Sequence, residues 1–257
     1  MQEEEVILPQ LYFTISTYAL MAYIGLGAVL IFIYRRKTEL QLNLRMLMEY
    51  LITCVIFAMV GARLLFVFAL IPSMEQVTLN ELWFQLWNGG IVFYGGLFGV
   101  IGGIIAVSKY RHRNAKDVLN IVVPAIPLFH TFARIGCLLS GCCYGIEWSW
   151  GVIMSDEPNV IRFPVQLVES ACNMLIFIGI IFWEHKRKTR KYNTTIYLCL
   201  YAICRFVLEF FRGDSVRGVW LGGLSTAQYI SMIIIFVYAC LLVKYLYGSI
   251  FKSKSYQ

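Results

Sequence analysis

Seven apolar segments, most of them long enough to cross a bilayer, alternate along the chain with short polar loops. A transmembrane helix needs about 20 mostly apolar residues, and only the third and sixth segments are noticeably short. The longest loops hold 18 to 25 residues, so no separate soluble domain is predicted. The pattern predicts an all-α, polytopic integral membrane protein with a single transmembrane domain over residues 1–257. The seven predicted spans are 15–34, 50–72, 91–108, 118–139, 165–183, 195–211 and 224–247.

Lysine and arginine are concentrated in alternate loops. The loops at 35–49, 109–117 and 184–194, with the tail from 244, hold 16 of these 22 residues, whereas the N-terminus and the remaining loops hold three. Basic loops favour the cytoplasmic side of a membrane. The sequence therefore predicts that the N-terminus lies outside and the C-terminus in the cytoplasm.

Composition and net charge agree with a membrane protein. Apolar residues make up 59% of the chain, charged residues only 14%, and the mean hydropathy is +0.69. A soluble domain could not cover so much apolar surface with so few charges. The formal charge of +7 is explained by basic loop ends beside anionic lipid, so no nucleic-acid partner is predicted.

Five charged residues fall in the interior of the predicted spans: Arg63, Arg134, Glu169, Arg205 and Glu209. A charge in hydrocarbon costs about 3 kcal/mol even on lenient insertion scales, so each needs a partner or a polar cavity. The three arginines lie past the middle of outward-running spans, and the glutamates lie near outer ends. We therefore expect all five charges in the outer half of the bilayer, with Glu209 one helical turn beyond Arg205.

Three arginines and two glutamates do not balance. A network of buried salt bridges that only fixes helix packing is one interpretation, but it would leave excess positive charge in a low-dielectric medium. An anionic ligand would neutralise that excess, and guanidinium groups bind phosphate bidentately. The residues therefore favour a site for an anionic phospholipid headgroup that opens toward the outer leaflet.

A glycine-rich segment begins the third predicted span. Glycine lets a backbone approach a ligand or a neighbouring helix closely. For Gly99 to Gly103 the sequence favours helix packing by small residues. Gly95 and Gly96 follow Tyr94 directly, and we expect them to line the headgroup site.

Three thiols lie close together at the outer end of the fourth predicted span, beside His130 and Arg134. Cys137 with Cys142 or Cys143 could form a disulfide. The three thiols with His130 could hold zinc, although the pattern lacks the paired spacings typical of zinc sites, and no metal or other cofactor is predicted. A reactive thiolate beside Arg134 is the third interpretation. The other cysteines, predicted to be packing residues, are Cys54, Cys172, Cys199, Cys204 and Cys240.

At these motifs the chain resembles the prolipoprotein diacylglyceryl transferase family. The family's Trp-x-Gly-Gly and His-Gly-Gly-Leu-x-Gly elements correspond to residues 87–90 and 94–99, and its Gly-Arg-x-Gly-Asn signature corresponds to residues 133–145. An Arg-Pro-x-Gln-Leu-x-Glu-type element is similar to residues 162–169. The family's Tyr/Arg/Glu helix is similar to residues 201–212.

The resemblance implies an activity and its partners. Members transfer a diacylglyceryl group from phosphatidylglycerol to the lipobox cysteine of a preprolipoprotein in the bacterial cytoplasmic membrane. A thioether forms and glycerol 1-phosphate leaves. By resemblance, Arg134 and Arg205 hold the phosphate and Glu209 orients Arg205, while Arg63 and Gln166 are further candidates for headgroup binding.

The chain departs from the family pattern at three positions. Tyr94 replaces the histidine proposed as the base, and a phenol is a poor base at neutral pH. Cys137 replaces an asparagine, and Cys142 replaces a glutamate. His130 could take over the role of base or could be a capping or packing residue, and direct attack on lipid by Cys142 or Cys143 is a further alternative.

Three functions remain open from the sequence. The first is diacylglyceryl transfer to a lipobox-bearing or other thiol-containing protein, with Arg134, Arg205, Glu209, Tyr94 and His130 as the catalytic candidates. The second is a membrane protein that binds anionic phospholipid without catalysis. The third is a thiol-redox membrane protein that uses the three clustered cysteines.

Overall fold

A computed structural model describes residues 16–71, 78–88, 90, 92–154, 157–213 and 223–254. The chain is mostly helical, with one small two-stranded sheet among the described residues. The elements are α1 (Thr17–Arg35), α2 (Leu44–Leu70), α3 (Leu79–Asn88), α4 (Phe93–Tyr110), α5 (Ala115–Val122), α6 (Ala125–Leu139), β1 (Glu147–Met154), β2 (Glu157–Arg162), α7 (Val165–Arg187), α8 (Asn193–Leu208), a 3₁₀ turn (Glu209–Phe211) and α9 (Thr226–Lys254).

Helices α1, α2, α4, α7 and α8 are long and apolar enough to cross a membrane. In the part of the chain that the structure describes, the number rises to six when α5 and α6 are counted as one bent span. A shorter apolar stretch covers 226–241 of α9. The predicted multi-pass helical architecture is confirmed at this level. Large apolar side chains cover the outward faces of these helices, among them Tyr23, Met59, Leu175 and Phe236.

Short polar side chains fix where several helices begin. Ser16 and Asn43 accept hydrogen bonds from backbone N–H groups in the first turns of α1 and α2, at 3.2 and 2.8 Å. Asn114 does the same for α5. These residue types are favoured at helix N-caps because their oxygens satisfy donors that have no partner within the helix. Polar residues just before these helices therefore determine where the helices begin.

The predicted span 118–139 is not one continuous helix. Helices α5 and α6 meet at a bend of 42°, and Pro124 stands at the junction as the N-cap of α6. Proline has no backbone N–H and its ring clashes with the preceding turn, so a helix bends or breaks there. The bend sets the direction of α6, which carries His130, Arg134 and Cys137.

Glycines let α2 and α4 pack backbone against backbone. A Cβ atom on Gly95 would collide with the backbone of Gly61, and a Cβ atom on Gly99 would collide with the carbonyl of Phe57. The predicted packing role of Gly99 is confirmed. Gly95 is not among the residues that line the large cavity, and the close approach that requires glycine there is to α2, so its predicted place in a headgroup site stays a prediction.

The regions 73–90 and 140–164, expected as loops, contain regular structure. Helix α3 lies in the first, and the second holds the antiparallel β1–β2 hairpin. Both elements are too short to appear in a search for spans of about 20 apolar residues. The hairpin is joined to the end of α8, since Ile146 N–H donates to the carbonyl of Phe211 and Gly213 N–H to that of Tyr144, each at 3.0 Å.

A buried carboxylate ties several segments together at the end of the bundle remote from the hairpin. Glu184 forms an ion pair with Arg36 at 2.6 Å and accepts a hydrogen bond from Asn193 Nδ2 at 2.6 Å. The same Asn193 nitrogen donates to the backbone carbonyl of Asn120. This network joins the end of α1 to α5, α7 and α8, and span-based sequence analysis did not predict it.

Candidate active site

Glu169 on α7 stands between two arginines from neighbouring helices. Its carboxylate lies 3.0 Å from Arg134 Nη2 on α6 and 3.3 Å from Arg205 Nη1 on α8, and only 2% of the residue is exposed. Removing one partner of a buried ion pair is strongly destabilising. The cluster therefore fixes both guanidinium groups at one place between three helices.

Two further charges complete this group. Arg205 also forms an ion pair with Glu209, one turn later, at 2.6 Å. Arg212, at the end of the 3₁₀ turn, is buried and lines the same cavity as Arg134 and Arg205. We call Arg134, Glu169, Arg205, Glu209 and Arg212 the charged cluster, and its formal charge is +1.

Arg63 is the third arginine that the sequence predicts for the site, and the structure brings Arg212 there. Arg63 is half-buried on α2 and is not among the residues that line the cavity. Arg212 was assigned to a loop because it follows the predicted span. The signal that could have found it is the spacing of 205, 209 and 212, which in a continuous helix would place all three side chains on one face. In the structure α8 ends at Leu208 and the backbone at Arg212 is extended.

Four members of the charged cluster, Arg134, Arg205, Glu209 and Arg212, line one end of an apolar cavity of about 590 Å³. The cavity is bounded mainly by α1, α2, α4 and α6, and both Tyr18 and Ile33 of α1 line it. At 1.5 Å per helical residue, those two positions are about 22 Å apart along the axis. The polar and thiol side chains that line the charged end include Arg134, Arg205, Glu209, Arg212, Cys137 and Cys143.

His130 lines the cavity, but its ring is already engaged. Arg134 Nε–H donates to His130 Nε2 at 3.1 Å, so that nitrogen acts as an acceptor. Phe93 stacks on the imidazole with a centroid distance of 3.8 Å and an interplanar angle of 10°. The Nε2 lone pair is directed at Arg134 and not at a substrate thiol, an arrangement that orients the guanidinium.

Tyr94 lies beside the cluster but does not line the cavity. Its hydroxyl is 2.6 Å from the hydroxyl of Ser231 on α9, and the residue is 1% exposed. Its ring packs edge-to-face on Tyr201. The structure thus places Tyr94 in the contact between α4 and α9, and its predicted catalytic role stays a prediction.

Gly96 and Gln166 occupy different places. Gly96 lines the cavity, where a Cβ atom would be in ordinary contact with Ala62. Gln166 is fully buried at the start of α7, and its Nε2 donates to the carbonyl of Cys142 at 2.9 Å. Gln166 therefore supports the turn that carries two of the thiols and does not line the cavity.

The three clustered cysteines converge at the charged end of the cavity. The Sγ atoms of Cys137, Cys142 and Cys143 all lie within 4.8 Å of one another, and each cysteine is a free thiol in the structure. Gly141 and Cys143 adopt left-handed conformations, with φ of +72° and +57°. This tight turn returns the chain to the end of α6. We call Cys137, Cys142 and Cys143 the thiol cluster.

Positive charge adjoins the thiol cluster. Arg134 Nη1 lies 3.9 Å from Cys137 Sγ. The pKa of the Cys143 thiol is lowered, first by hydrogen bonds from Cys137 and Cys142 and then by the positive charges of Arg134 and Arg212. The metal-ligating group brought together here comprises the three thiols without His130, so the four-ligand set considered from the sequence is not assembled.

The chain resembles bacterial transferases over most of its length. A sequence model of the prolipoprotein diacylglyceryl transferase family matches residues 6–244. Phosphatidylglycerol–prolipoprotein diacylglyceryl transferase 2 of Clostridium perfringens is 32% identical over 232 residues, which cover 87% of this chain and 89% of the relative. The Clostridium tetani enzyme is 30% identical over 229 residues, covering 86% and 89%. An Acinetobacter baumannii enzyme is 30% identical over 168 residues, or 62% of each chain. The chain therefore belongs to the prolipoprotein diacylglyceryl transferase family.

Proposed function

We propose that the protein transfers a diacylglyceryl group from phosphatidylglycerol to a cysteine thiol of a prolipoprotein. The observation that carries the proposal is the convergence of Arg134, Arg205 and Arg212 at one end of an apolar cavity. Guanidinium groups suit a phosphodiester, and the apolar length of the cavity suits acyl chains. The names of the relatives describe the same donor and acceptor.

The reaction breaks a carbon–oxygen bond of the lipid. The acceptor thiolate attacks the glyceryl carbon that carries the phosphate, a carbon–sulfur bond forms, and glycerol 1-phosphate leaves with the electron pair. Negative charge therefore grows on the departing phosphate. Fixed donors aimed at developing charge in a site that excludes water lower the barrier, typically by about 3–4 kcal/mol for one donor.

The glutamates of the charged cluster position the arginines. Glu169 holds Arg134 and Arg205 from one side, and Glu209 holds Arg205 from the other. Two carboxylates against three guanidinium groups leave a charge of +1, which a single phosphodiester neutralises. His130 acts on Arg134 in the same way.

The chain crosses the bacterial cytoplasmic membrane seven times, with its N-terminus outside and its C-terminus in the cytoplasm. The distribution of basic residues supports this orientation. The charged cluster then lies toward the outer leaflet. A C-terminal fusion to a reporter that is active only in the cytoplasm is expected to be active, and a matching fusion to an enzyme that needs export is expected to be inactive. The reverse pair of results would exclude the orientation.

The activity is tested with purified protein in phosphatidylglycerol vesicles, using a lipobox peptide as acceptor. Mass spectrometry should detect the diacylglyceryl adduct on the peptide cysteine and none on a peptide with serine in that place. Bound phosphatidylglycerol without adduct would instead indicate a non-catalytic lipid-binding protein. Thiol–disulfide exchange with the peptide, without lipid transfer, would indicate a redox protein.

A further inference from the structure

The proposed transfer needs an acceptor thiol in its nucleophilic thiolate form, and both candidates for a base are engaged by neighbouring side chains. The hydroxyl of Tyr94 bonds with Ser231 outside the cavity. The Nε2 atom of His130 accepts from Arg134. Neither group is directed at an incoming thiol. The acceptor thiolate therefore needs to be stabilised by another group beside the headgroup site. The thiol cluster lies there.

The geometry of the thiol cluster fits a thiophilic metal ion. Zinc binds thiolate sulfur at about 2.3 Å in a tetrahedral arrangement, which separates the sulfur atoms by roughly 3.8 Å. The three Sγ atoms already lie within 4.8 Å of one another, so a movement of about 1 Å at most would complete the coordination. The left-handed turn at Gly141 and Cys143 produces this convergence from a spacing that does not resemble a zinc motif.

The surrounding charge also fits. Three thiolates and one Zn²⁺ carry a net charge of −1, and because Cys142 is exposed this charge is partly solvated. Arg134 Nη1 lies 3.9 Å from Cys137 Sγ, and Arg212 lines the same end of the cavity. Guanidinium groups this close to the sulfur atoms stabilise a negatively charged metal–thiolate group.

We propose that Cys137, Cys142 and Cys143 bind Zn²⁺, and that the fourth coordination position receives the thiol of the acceptor cysteine. This inference rests on the proposed transfer and adds a cofactor that the sequence did not predict. The acceptor thiol loses its proton to solvent and binds as a thiolate. Its sulfur then forms the bond to the glyceryl carbon while glycerol 1-phosphate leaves. The resulting thioether is a weaker ligand than a thiolate, so the product dissociates.

The arrangement of ligands distinguishes this role from a structural metal site. Structural zinc sites are closed by four protein ligands, whereas catalytic sites have three and an open position. Only three thiols converge here among the described residues, and Cys137 and Cys143 line the cavity that contains Arg134 and Arg205. A thiolate held at the open position would therefore be beside the phosphate of the bound lipid.

The metal site is tested by titrating the reduced full-length protein in detergent with Co²⁺, whose absorption reports thiolate coordination, and then displacing it with Zn²⁺. We expect one ion per chain. Cys142→Ser and Cys143→Ser should each weaken binding by at least tenfold, which is about the loss from changing an outer-shell partner. Cys240→Ser, a change at an exposed thiol on α9, should leave binding unchanged. Retained phosphatidylglycerol binding shows that each variant is folded.

The open position is tested with the lipobox peptide. The cysteine peptide should shift the cobalt absorption, and the serine peptide should not. A reduced protein that binds no Co²⁺, or binds it equally well in the Cys142→Ser and Cys143→Ser variants, overturns the metal site. An absorption that the cysteine peptide leaves unchanged overturns the role of the acceptor.

Separate readouts keep this inference apart from the proposed function. Adduct formation at the full rate after chelation of all metal overturns the catalytic role of the zinc ion and leaves the transfer reaction standing. Conversely, a cobalt site that responds to the cysteine peptide, in a zinc-loaded protein that forms no adduct, supports the site and refutes the transfer reaction.

Discussion

Replacing Arg134 with glutamine removes one of the three guanidinium groups and leaves the lipid cavity otherwise intact. Arg134 contacts Glu169 at 3.0 Å and His130 at 3.1 Å. Glu169 keeps its second partner, Arg205, so the carboxylate is not left alone in the membrane. The formal charge of the charged cluster falls from +1 to 0. We expect the variant to fold and to bind phosphatidylglycerol more weakly.

The effect on catalysis should be larger than the effect on lipid binding. Removing one preorganised donor from a site of developing charge costs about 2.7–4 kcal/mol. Because each 1.36 kcal/mol changes a rate tenfold, kcat should fall by roughly 10²–10³. An interaction made in the transition state lowers kcat, whereas one made equally in the ground state only raises KM.

The assay is the initial rate of adduct formation on the lipobox peptide, measured against phosphatidylglycerol concentration in mixed micelles. Arg36→Gln is the matched control, because it breaks another buried ion pair, with Glu184, away from the charged cluster. The control should lose stability and retain kcat. If folded Arg134→Gln protein kept kcat within threefold of the wild type, Arg134 would not stabilise the departing phosphate, and the argument for the site would fail.

Three further changes probe the surroundings of the site. Glu169→Gln should lower the stability of the folded protein by about 3–5 kcal/mol, because two buried guanidinium groups lose their shared carboxylate; thermal unfolding in detergent measures this, and an unchanged midpoint would contradict it. Gly95→Ala should lower the free energy of unfolding by about 1–3 kcal/mol, because the added methyl overpacks the contact between α2 and α4. Gly96→Ala, where the added atom meets only ordinary contacts, should leave the unfolding midpoint nearly unchanged. Tyr94→Phe should retain adduct formation within a few-fold, since the hydroxyl does not reach the cavity; a loss of 10² or more, the typical effect of removing a general base, would restore Tyr94 as that base.

The buried charges could be predicted from the sequence because the membrane makes them expensive. Arg134, Glu169, Arg205 and Glu209 stand out in apolar spans, and the structure brings all four together. Arg212 was not predicted as a site residue because it lies just past the end of a span, where an arginine usually contacts solvent or lipid headgroups. Hydropathy identifies residues that need a partner, and it does not identify partners that come from outside the apolar segments.

Features that depend on contacts between segments could not be predicted. The sequence does not show that Gly95 approaches Gly61 on α2 at a distance that only glycine allows. His130 is a plausible base until Arg134 and Phe93 are seen to occupy its ring. The close approach of Cys137 and Cys143 depends on a left-handed backbone conformation that non-glycine residues rarely adopt.

The pairing between the hairpin and the end of α8 has a mechanical consequence for the entry of a protein substrate. The bonds from Ile146 to Phe211 and from Gly213 to Tyr144 are on either side of the bridge between Gly145 and Arg212. The backbone that follows the thiol cluster is thereby hydrogen-bonded to the backbone that carries Arg212. A protein substrate that displaced this pair of backbone segments would move the thiols and the Arg212 guanidinium together. Substrate entry and the positions of the reactive groups are therefore mechanically linked.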